Sequence, residues 1–460
     1  MFNRFLQKYH VEIILFLIAF LLRAVYAIVI QNGFGSDVFV SYSDATVYVK
    51  LANNIIHNNI FSEALLHPEL VPDAMRTPGY PVFLVPFKFI GAPNIIIVLF
   101  QDILAGLLTV IIFRIALLLF KNKFVGIMSA IIFAIDPAMI YWSNLLMSDH
   151  LAGFFFSLFV LFFIKKRYGW AGLLLGITAQ IRPIFLYLFP IVILMIMYLN
   201  REELKNILKT KKIKNKLFLK HTFLILFFFY LVLFPWMARN YKQFGEFSLS
   251  SNGWMAIHIY ISEPFAKMHN IDHFWLEPPA DYYSFPGSDE MPRPNKYTYF
   301  HYEYNNHSFY KGYLINLIAT HPLDYIRFHL TGSFKGFFKA DYYYLIRHVL
   351  LSEAPNFPKY IWLPALVVLF TFWYSVVLLA LSTLWYKKYR LWTIFLLSFP
   401  TLNVLLTGNI ASGSNSGRYN MPFYPFFVML GVLGAYELYC KHYNKKNEKI
   451  CTQKNISQNV

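Results

Sequence analysis

Residues 170–199 read WAGLLLGITAQIRPIFLYLFPIVILMIMYL, an apolar run of 30 residues whose only charge is Arg182. Basic residues flank the run on both sides: residues 165–167 are Lys-Lys-Arg, and the stretch 201–220 holds eight Lys and Arg against two Glu. Because basic loops stay on the cytoplasmic side during insertion, the chain must enter the membrane and return within this run. Arg182-Pro183 predicts the turn, since the residue before proline is disfavoured in a helix and proline suits a helix start.

The composition of the whole chain agrees with a membrane location. Of the 460 residues, 57% are hydrophobic and 14% are charged. Several apolar runs reach the roughly 20 residues that a helix needs to cross a bilayer, and an unpaired backbone cannot face lipid, so the spans must be helical. The net charge of +17 lies mostly in short loops of one side, which indicates membrane orientation and not nucleic-acid binding. The two cysteines, Cys440 and Cys451, exclude a disulfide framework and a cysteine metal site.

Counting the basic connections as cytoplasmic predicts about ten passes with both termini inside. The apolar runs are 11–30, 93–120, 124–142, 148–165, 170–181, 183–199, 219–238, 360–385, 391–407 and 419–440. The predicted fold class is therefore an all-α polytopic membrane protein. The two arms of the run 170–199 are short for full spans, which leaves a partly re-entrant hairpin as an alternative. The first run lacks a cleavage site and is interpreted as a retained span, in which Arg23 is expected to extend to lipid headgroups.

The predicted organisation has three parts. Residues 1–239 form an N-terminal transmembrane module with a first outer loop at 31–92, residues 240–359 form a second outer region, and residues 360–460 form a C-terminal transmembrane module with a basic cytoplasmic tail. The first loop is expected to begin with an amphipathic helix whose apolar face is formed by Val47, Leu51, Ile55 and Ile56. In the second region, apolar residues recur at helical spacing over 322–338, which predicts a helix lying at the membrane surface.

Charged side chains fall at the outer ends of several apolar segments. They are Arg76, Arg182, Arg239 and Arg418, with the acids Asp44 and Asp149. A cation costs about 2.5–3.5 kcal/mol at mid-span and less near the ends, so four arginines on the outer side indicate a bound anion. The planar guanidinium pairs bidentately with phosphate. Anchoring to lipid headgroups is the alternative for any one of these arginines.

The two acids have a structural and a functional interpretation. Asp44 stands at the start of the first outer helix and Asp149 at the start of the fourth span, where a carboxylate can simply stabilise a helix N-terminus. Functionally, Asp44 is a candidate general base, and Asp149 a second acid that orients the acceptor or raises the pKa of the first. His150 belongs to no spaced ligand set, so no metal site is predicted.

Residues beside the arginines complete the candidate site. Tyr80 and Tyr419 adjoin the arginine motifs and are the aromatic candidates for substrate contact. Glu69 and Asp73 precede Arg76 closely and are expected to be its ion-pair partners.

Five motifs, in order, resemble those of a known enzyme family. Residues 76–81, Arg-Thr-Pro-Gly-Tyr-Pro, resemble the signature that closes the first outer loop of GT-C glycosyltransferases. These are polyprenyl-phosphate-sugar-dependent enzymes related to protein O-mannosyltransferases and lipid A aminoarabinose transferases. The other four motifs are at residues 172–183, 235–245, 321–325 and 418–425, so the resemblance covers the chain from about residue 20 to 440.

The resemblance implies a GT-C fold and an inverting glycosyltransferase at the periplasmic face of a bacterial inner membrane. The implied donor is a sugar on undecaprenyl phosphate, and the acceptor is a hydroxyl of lipid A or lipopolysaccharide, of a cell-wall glycan or of a protein. The family's first-loop acid maps to Asp44 and its second acid to Asp149. Met75 stands where one branch of the family has a metal-binding glutamate, so no divalent metal is assigned.

Two alternatives use the same lipid donor. A transporter or flippase of lipid-linked sugars would also need outer arginines, and it would add charged or broken helices at mid-membrane. A polysaccharide polymerase or ligase shares the donor and the long outer loops. The ordered motifs favour the transferase.

Overall fold

The computed structural model describes residues 2–63, 72–210, 217–271, 303–339, 342, 359–408, 410 and 416–444. Within these ranges every regular element is helical, which confirms the predicted all-α class. The α-helices are α1 (Phe2–Phe34), α2 (Ser43–Asn58), α3 (Gly79–Phe89), α4 (Asn94–Phe120), α5 (Lys123–Ile135), α6 (Pro137–Ser143), α7 (Ser148–Ile164), α8 (Tyr168–Ile181), α9 (Ile184–Tyr187), α10 (Phe189–Leu199), α11 (Arg201–Thr210), α12 (Leu217–Phe244), α13 (Asn252–Ile257), α14 (Glu263–Met268), α15 (Glu303–Thr320), α16 (Pro322–Phe338), α17 (Lys359–Ser382), α18 (Arg390–Thr407) and α19 (Tyr424–Asn444). The 3₁₀ segments are Ser36–Val40, Thr383–Trp385 and Ser416–Phe423, and His258–Ser262 is π-helical.

Long apolar helices show that the chain is a multi-pass membrane protein. In the described ranges, six are long and apolar enough to cross a membrane: Gln7–Phe34, Asn94–Phe120, Leu217–Phe244, Pro364–Trp385, Arg390–Thr407 and Arg418–Tyr443. The pair α5 and α6 is a seventh candidate, bent by 59° at its break. The predicted passes 148–165, 170–181 and 183–199 correspond to shorter helices, so the total of about ten passes stays a prediction.

Two of these shorter helices lie inside the bundle. The side chains of α7 are almost all buried, and α8 packs between α7 and α12. Gly172 allows the close approach of α8 to α12, because a Cβ there would lie 2.3 Å from the carbonyl oxygen of Ile225. The glycine-rich segment therefore serves helix packing.

The chain reverses at Arg182-Pro183, as the sequence predicts. Helix α8 ends at Ile181, Arg182 is extended at φ −139° and ψ 113°, and α9 begins directly after Pro183. Helix α7 runs away from Asp149 over 17 residues, about 25 Å at 1.5 Å per residue, and α8 runs back. Asp149 and Arg182 therefore lie at one end of this hairpin, and the basic residues 165–167 lie at the other.

The expectation that Arg23 extends to lipid headgroups is wrong. Its side chain is fully buried and donates to the carbonyl oxygens of Ala19 at 3.1 Å and Ala134 at 2.9 Å. Ala134 lies in the last turn of α5, where carbonyl groups lack partners within the helix and the helix dipole favours a cation. Arg23 therefore ties α1 to the broken end of α5.

The amphipathic helix expected within residues 31–92 is α2, but a different face of it is buried. Ala45, Tyr48, Leu51 and Ala52 are the buried apolar residues of α2. Of the predicted face, Leu51 alone is fully buried, and Val47, Ile55 and Ile56 are half-buried. Turning the helix in this way brings Asp44 and Tyr48 toward the bundle.

The second outer region contains the expected helix at 322–338, which is α16. Its apolar stripe is exposed: Leu323 by 79%, Ile326 by 52%, Leu330 by 53% and Phe334 by 68%. The small residues Gly332, Ser333 and Gly336 are buried on the protein side. An apolar stripe without protein cover fits a helix at a membrane surface.

One apolar core contains residues from both predicted transmembrane modules, for example Phe156 of α7 and Phe427 of α19. Several expectations lie outside the described residues: Glu69, the segments 272–302 and 343–358, Cys451 and the tail from 445.

Candidate functional site

Asp44 in the first turn of α2 lies between two arginines from distant parts of the chain. Arg76 donates from Nη2 to Oδ1 at 2.7 Å, and Arg418 donates from Nη2 to Oδ2 at 2.7 Å. The carboxylate side chain is 21% exposed, and the arginines are 17% and 11% exposed. Each oxygen of Asp44 therefore holds one guanidinium in a largely water-excluded position.

Asp149 forms the second half of the cluster. Its side chain is 1% exposed, and Arg182 donates from Nη1 to its Oδ1. Arg418 Nε lies 3.5 Å from the same oxygen, so Arg418 links the two carboxylates. The other oxygen, Oδ2, is buried and has no hydrogen-bond partner among the described residues. Five of the six predicted charged residues thus form one cluster.

The motif at 76–81 fixes Arg76 against the end of α8. Thr77 donates from Oγ1 to the carbonyl of Ile181 at 3.2 Å. Gly79 packs so closely that a Cβ would lie 2.6 Å from the backbone carbonyl of Gln180. The residue after Ile181 is Arg182, so these contacts hold the two arginines at neighbouring places.

The segment that carries Arg418 is held on both sides. Asn420 donates to the carbonyl of Gly336 in α16 at 2.6 Å, and Gly153 of α7 approaches Pro422 so closely that a Cβ would lie 3.3 Å from its Cα. The 3₁₀ segment Ser416–Phe423 therefore lies between α16 and the first turns of α7.

Among the described residues, Arg239 contacts Asp73, near the C-terminal end of the segment 31–92, and not Asp44 or Asp149. It donates to the carbonyl of Asp73 at 2.6 Å and to Asn240 Oδ1 at 2.8 Å. Its guanidinium lies over the ring of Trp236 at 4.7 Å from the centroid. We therefore assign Arg239 to holding this loop, through which it supports Arg76.

The expectation that Asp73 pairs with Arg76 is wrong. The Asp73 carboxylate accepts from the backbone N–H of Met75, and the carboxylate that Arg76 holds is Asp44. Burial raises the pKa of Asp73 above its usual range, with the backbone N–H of Met75 and the charges of Arg76 and Arg239 acting against that rise.

The two tyrosines named from the sequence differ in position. Tyr80 is fully buried, and its hydroxyl donates to Gln101 Oε1 at 2.6 Å. Tyr419 is half-buried, with the Arg182 guanidinium 5.4 Å from its ring centroid. We assign Tyr80 to packing beneath the site and keep Tyr419 as the aromatic candidate for substrate contact.

Sequence reasoning missed Tyr48 and Tyr42. Tyr48 lies one turn after Asp44, shares a hydrogen bond of 3.0 Å with the Ser148 hydroxyl, and packs edge-to-face on Tyr80. Tyr42 lies under the Arg418 guanidinium at 5.3 Å. The one available signal was helical spacing, since Tyr48 follows Asp44 by four residues and so shares its face.

The arginines determine the charge state of Asp44. Burial alone would raise the pKa of its carboxyl, but Arg76 and Arg418 outweigh that effect and hold the pKa well below its usual range. Asp44 is therefore ionised at neutral and mildly acidic pH. Because both of its oxygens accept from an arginine, the proton affinity of Asp44 should rise when one arginine turns to another anion.

A cavity of about 550 Å³ lies at the opposite end of α8 from this cluster, beside Lys166, Trp170 and Lys220. It is therefore separate from the candidate site.

Fold and site together define a multi-pass helical membrane protein with two carboxylates, one buried and one partly buried, linked by arginines at one end of its bundle. Comparison with protein-family models, with curated proteins and with solved structures gave no match. Its function is therefore inferred from the site itself and from the motifs.

Proposed function

We propose that this protein is an inverting glycosyltransferase that moves a sugar from undecaprenyl phosphate to a hydroxyl of an envelope acceptor. The observation that carries the proposal is the position of Asp44 between Arg76 and Arg418. Three arginines beside two acids supply a phosphate-binding group and a base within one cluster, which is the pair of functions that this transfer needs.

The reaction begins with an exchange of partners. The donor's phosphate enters and takes hydrogen bonds from Arg76 and Arg418, which frees the Asp44 carboxylate. Asp44 then removes the proton from the acceptor hydroxyl. The acceptor oxygen attacks the anomeric carbon from the face opposite the phosphate, the bond from that carbon to the phosphate oxygen breaks, and undecaprenyl phosphate leaves with the negative charge held by the arginines.

Asp149 has a separate function in this scheme. Its Oδ1 holds Arg182 and contacts Arg418, and its buried Oδ2 lacks a partner among the described residues. An acceptor hydroxyl bound to Oδ2 would satisfy that oxygen and lie beside Asp44. Asp149 thus positions the arginines and the acceptor.

The membrane orientation follows from the hairpin of α7 and α8. The cluster and the basic residues 165–167 lie at opposite ends of α7, and basic residues mark the cytoplasmic side. We therefore place the cluster at the periplasmic face of a bacterial inner membrane, with about ten passes and both termini inside. The exposed stripe of α16 lies at the same face, beside the segment of Arg418.

One observation favours a second function, transport of a lipid-linked sugar. Helices α5 and α6 form a broken span or a re-entrant loop, bent by 59°. Asp136 at the break is buried and accepts from the hydroxyls of Tyr342 and Tyr424. Arg23 and Asp102 are buried nearby in α1 and α4. Broken helices and buried charges are features of transporters.

An assay of bond cleavage separates the two functions. The purified protein is given a polyprenyl-phosphate sugar with an envelope acceptor fraction, and released undecaprenyl phosphate is measured by mass spectrometry. We expect release that depends on Asp44 and persists with Asp37→Asn, a matched control since Asp37 is an exposed acid of the same outer loop. Transbilayer movement of intact donor without release would refute the transferase and favour the transporter.

A further inference from the structure

Three metal-binding side chains meet in the second outer region, although 52 residues separate the first two along the chain. His269 directly follows α14, His321 directly precedes α16, and Asp324 lies in the first turn of α16. One ligand atom from each residue lies within 4.8 Å of the other two. The sequence did not reveal this group, because His269 lies 52 residues before His321 and only His321 and Asp324 are close together along the chain.

A buried polar atom in this group lacks a partner. Nε2 of His269 is buried without a hydrogen bond among the described residues, and it lies 3.7 Å from Asp324 Oδ2. Two ligands on one tetrahedral zinc ion, at about 2.0–2.2 Å each, lie about 3.4 Å apart. The observed distance of 3.7 Å is too long for a hydrogen bond. The two atoms need to approach by only a few tenths of an ångström to bind the same ion.

The second histidine is held beside the first. The rings of His269 and His321 stack with centroids 3.9 Å apart and planes inclined by 17°. Since parallel rings direct their nitrogen lone pairs in parallel, a rotation of one ring is needed for both to meet one ion. His321 is the N-cap residue of α16 and is half-buried, so the rotation involves a side chain that is partly in solvent.

We propose that His269, His321 and Asp324 bind one divalent transition metal ion, for which zinc fits best. Two imidazole nitrogens and one carboxylate oxygen are an established zinc donor set that leaves a fourth position for water or another ligand. The bound ion would cross-link α14 to α16 in the way a disulfide closes a loop. The sequence has no cysteine between these two helices.

The cross-link would stabilise the packing next to the arginine cluster. Phe265 of α14 packs with Tyr325 and Phe328 of α16. The same two residues border the cluster that includes Tyr419. The metal would therefore position the outer helices beside Tyr419 and Arg182, and it is inferred independently of the proposed transferase activity.

The test measures metal binding by the full-length protein, purified with a tag free of histidine and stripped with a chelator. After equilibration with zinc and gel filtration, elemental analysis should give one zinc per chain. The double variant His269→Ala with His321→Ala should lose this zinc, and Asp324→Asn should weaken binding by at least about tenfold, since changes in the second shell alone cost 10–100-fold. His57→Ala, which removes an exposed histidine of the first loop, should bind like the wild type.

Substitution with cobalt tests metal coordination directly, because a histidine pair with a purely structural role would not change the visible absorption of added cobalt. Wild-type protein with cobalt should show the visible absorption of a low-coordinate site, and the double variant should not. Equal melting temperatures of the metal-free wild type and variants show that the variants fold, so that a loss of metal is a loss of ligands. Zinc stoichiometry that is unchanged in the double variant, or wild-type protein that binds no zinc, would overturn the proposal.

Discussion

Asp44→Asn should separate binding from turnover. The substitution keeps the size of the side chain and removes the charge that Arg76 and Arg418 share. In the proposed exchange, the donor's phosphate binds Arg76 and Arg418 only after their ion pairs with Asp44 break. Because the substitution weakens these ion pairs in advance, phosphate binding should cost less free energy. We therefore expect the variant to bind undecaprenyl phosphate more tightly than the wild type, although it transfers sugar far more slowly.

The magnitudes follow from the two hydrogen bonds. A hydrogen bond to a charged group contributes about 1.5–3 kcal/mol, so avoiding the loss of one should tighten phosphate binding by about 10- to 100-fold. Loss of a general base should lower turnover by about 10²- to 10⁴-fold. Removing one partner of a fully buried pair costs about 3–5 kcal/mol; since Asp44 is 21% exposed, we expect about 2–3 kcal/mol of lost stability without ligand.

The assay combines thermal unfolding with and without undecaprenyl phosphate and measurement of released product in single-turnover reactions. Binding of a ligand to the folded state raises its stability in proportion to the logarithm of ligand concentration over Kd, so the shift reports affinity. Asp37→Asn should change neither quantity. Weaker or equal phosphate binding in a folded Asp44→Asn protein would refute the exchange of partners, and full transfer activity would refute the assignment of the base.

Three further predictions concern the residues around Asp44. Arg418→Gln should lower donor affinity and release both carboxylates from their common partner. We expect kcat/KM to fall by at least about tenfold, because one hydrogen bond to a charged group contributes about 1.5–3 kcal/mol. An unchanged kcat/KM would exclude Arg418 from the site. Gly79→Ala should destabilise the protein by about 1–3 kcal/mol in thermal unfolding, as expected for overpacking against backbone, whereas Gly33→Ala, which meets no atom within 4 Å, should not. Arg76→Gln should raise the pKa of Asp44 toward its ordinary value, because one of the three arginine charges that lower this pKa is lost. In the wild type the stability from this carboxylate is fully present above the unfolded pKa of about 3.9 and is lost as the pH falls through the lower folded pKa. In Arg76→Gln the folded pKa lies closer to the unfolded one, so this loss of stability should be smaller and should end at higher pH. Melting temperatures of the variant that change with pH in the same way as those of the wild type would contradict the pairing.

The sequence predicted the helical class and the reversal at Arg182-Pro183 because both depend on local physics. The length of an apolar run and the charge of its flanks are read from one continuous stretch of sequence. The restriction before proline acts on a single residue. It also placed Asp44, Asp149 and Arg418 at helix ends on one side, and the structure brings these residues together.

The sequence could not predict which side chains pair. Asp73 lies three residues from Arg76 and was the obvious ion-pair partner, yet Asp44, 32 residues away, takes that place because the turn of α2 directs it inward. Arg23 was expected at the surface, and it is buried because the end of α5 offers free carbonyl groups, which are a tertiary feature. The burial of α7 likewise depends on neighbours distant in the chain.

The pairing of Asp44 with Arg418 joins residues 374 positions apart, and this separation has a consequence for biosynthesis. Arg76 follows Asp44 closely and can pair with it while later spans are still being made. Arg418 is synthesised 374 residues after Asp44. At about 5–20 residues per second, this takes about 20–75 s. The cluster is therefore completed by one of the last segments to enter the membrane, so a chain that is truncated or stalled before that point lacks the residue that links the two carboxylates.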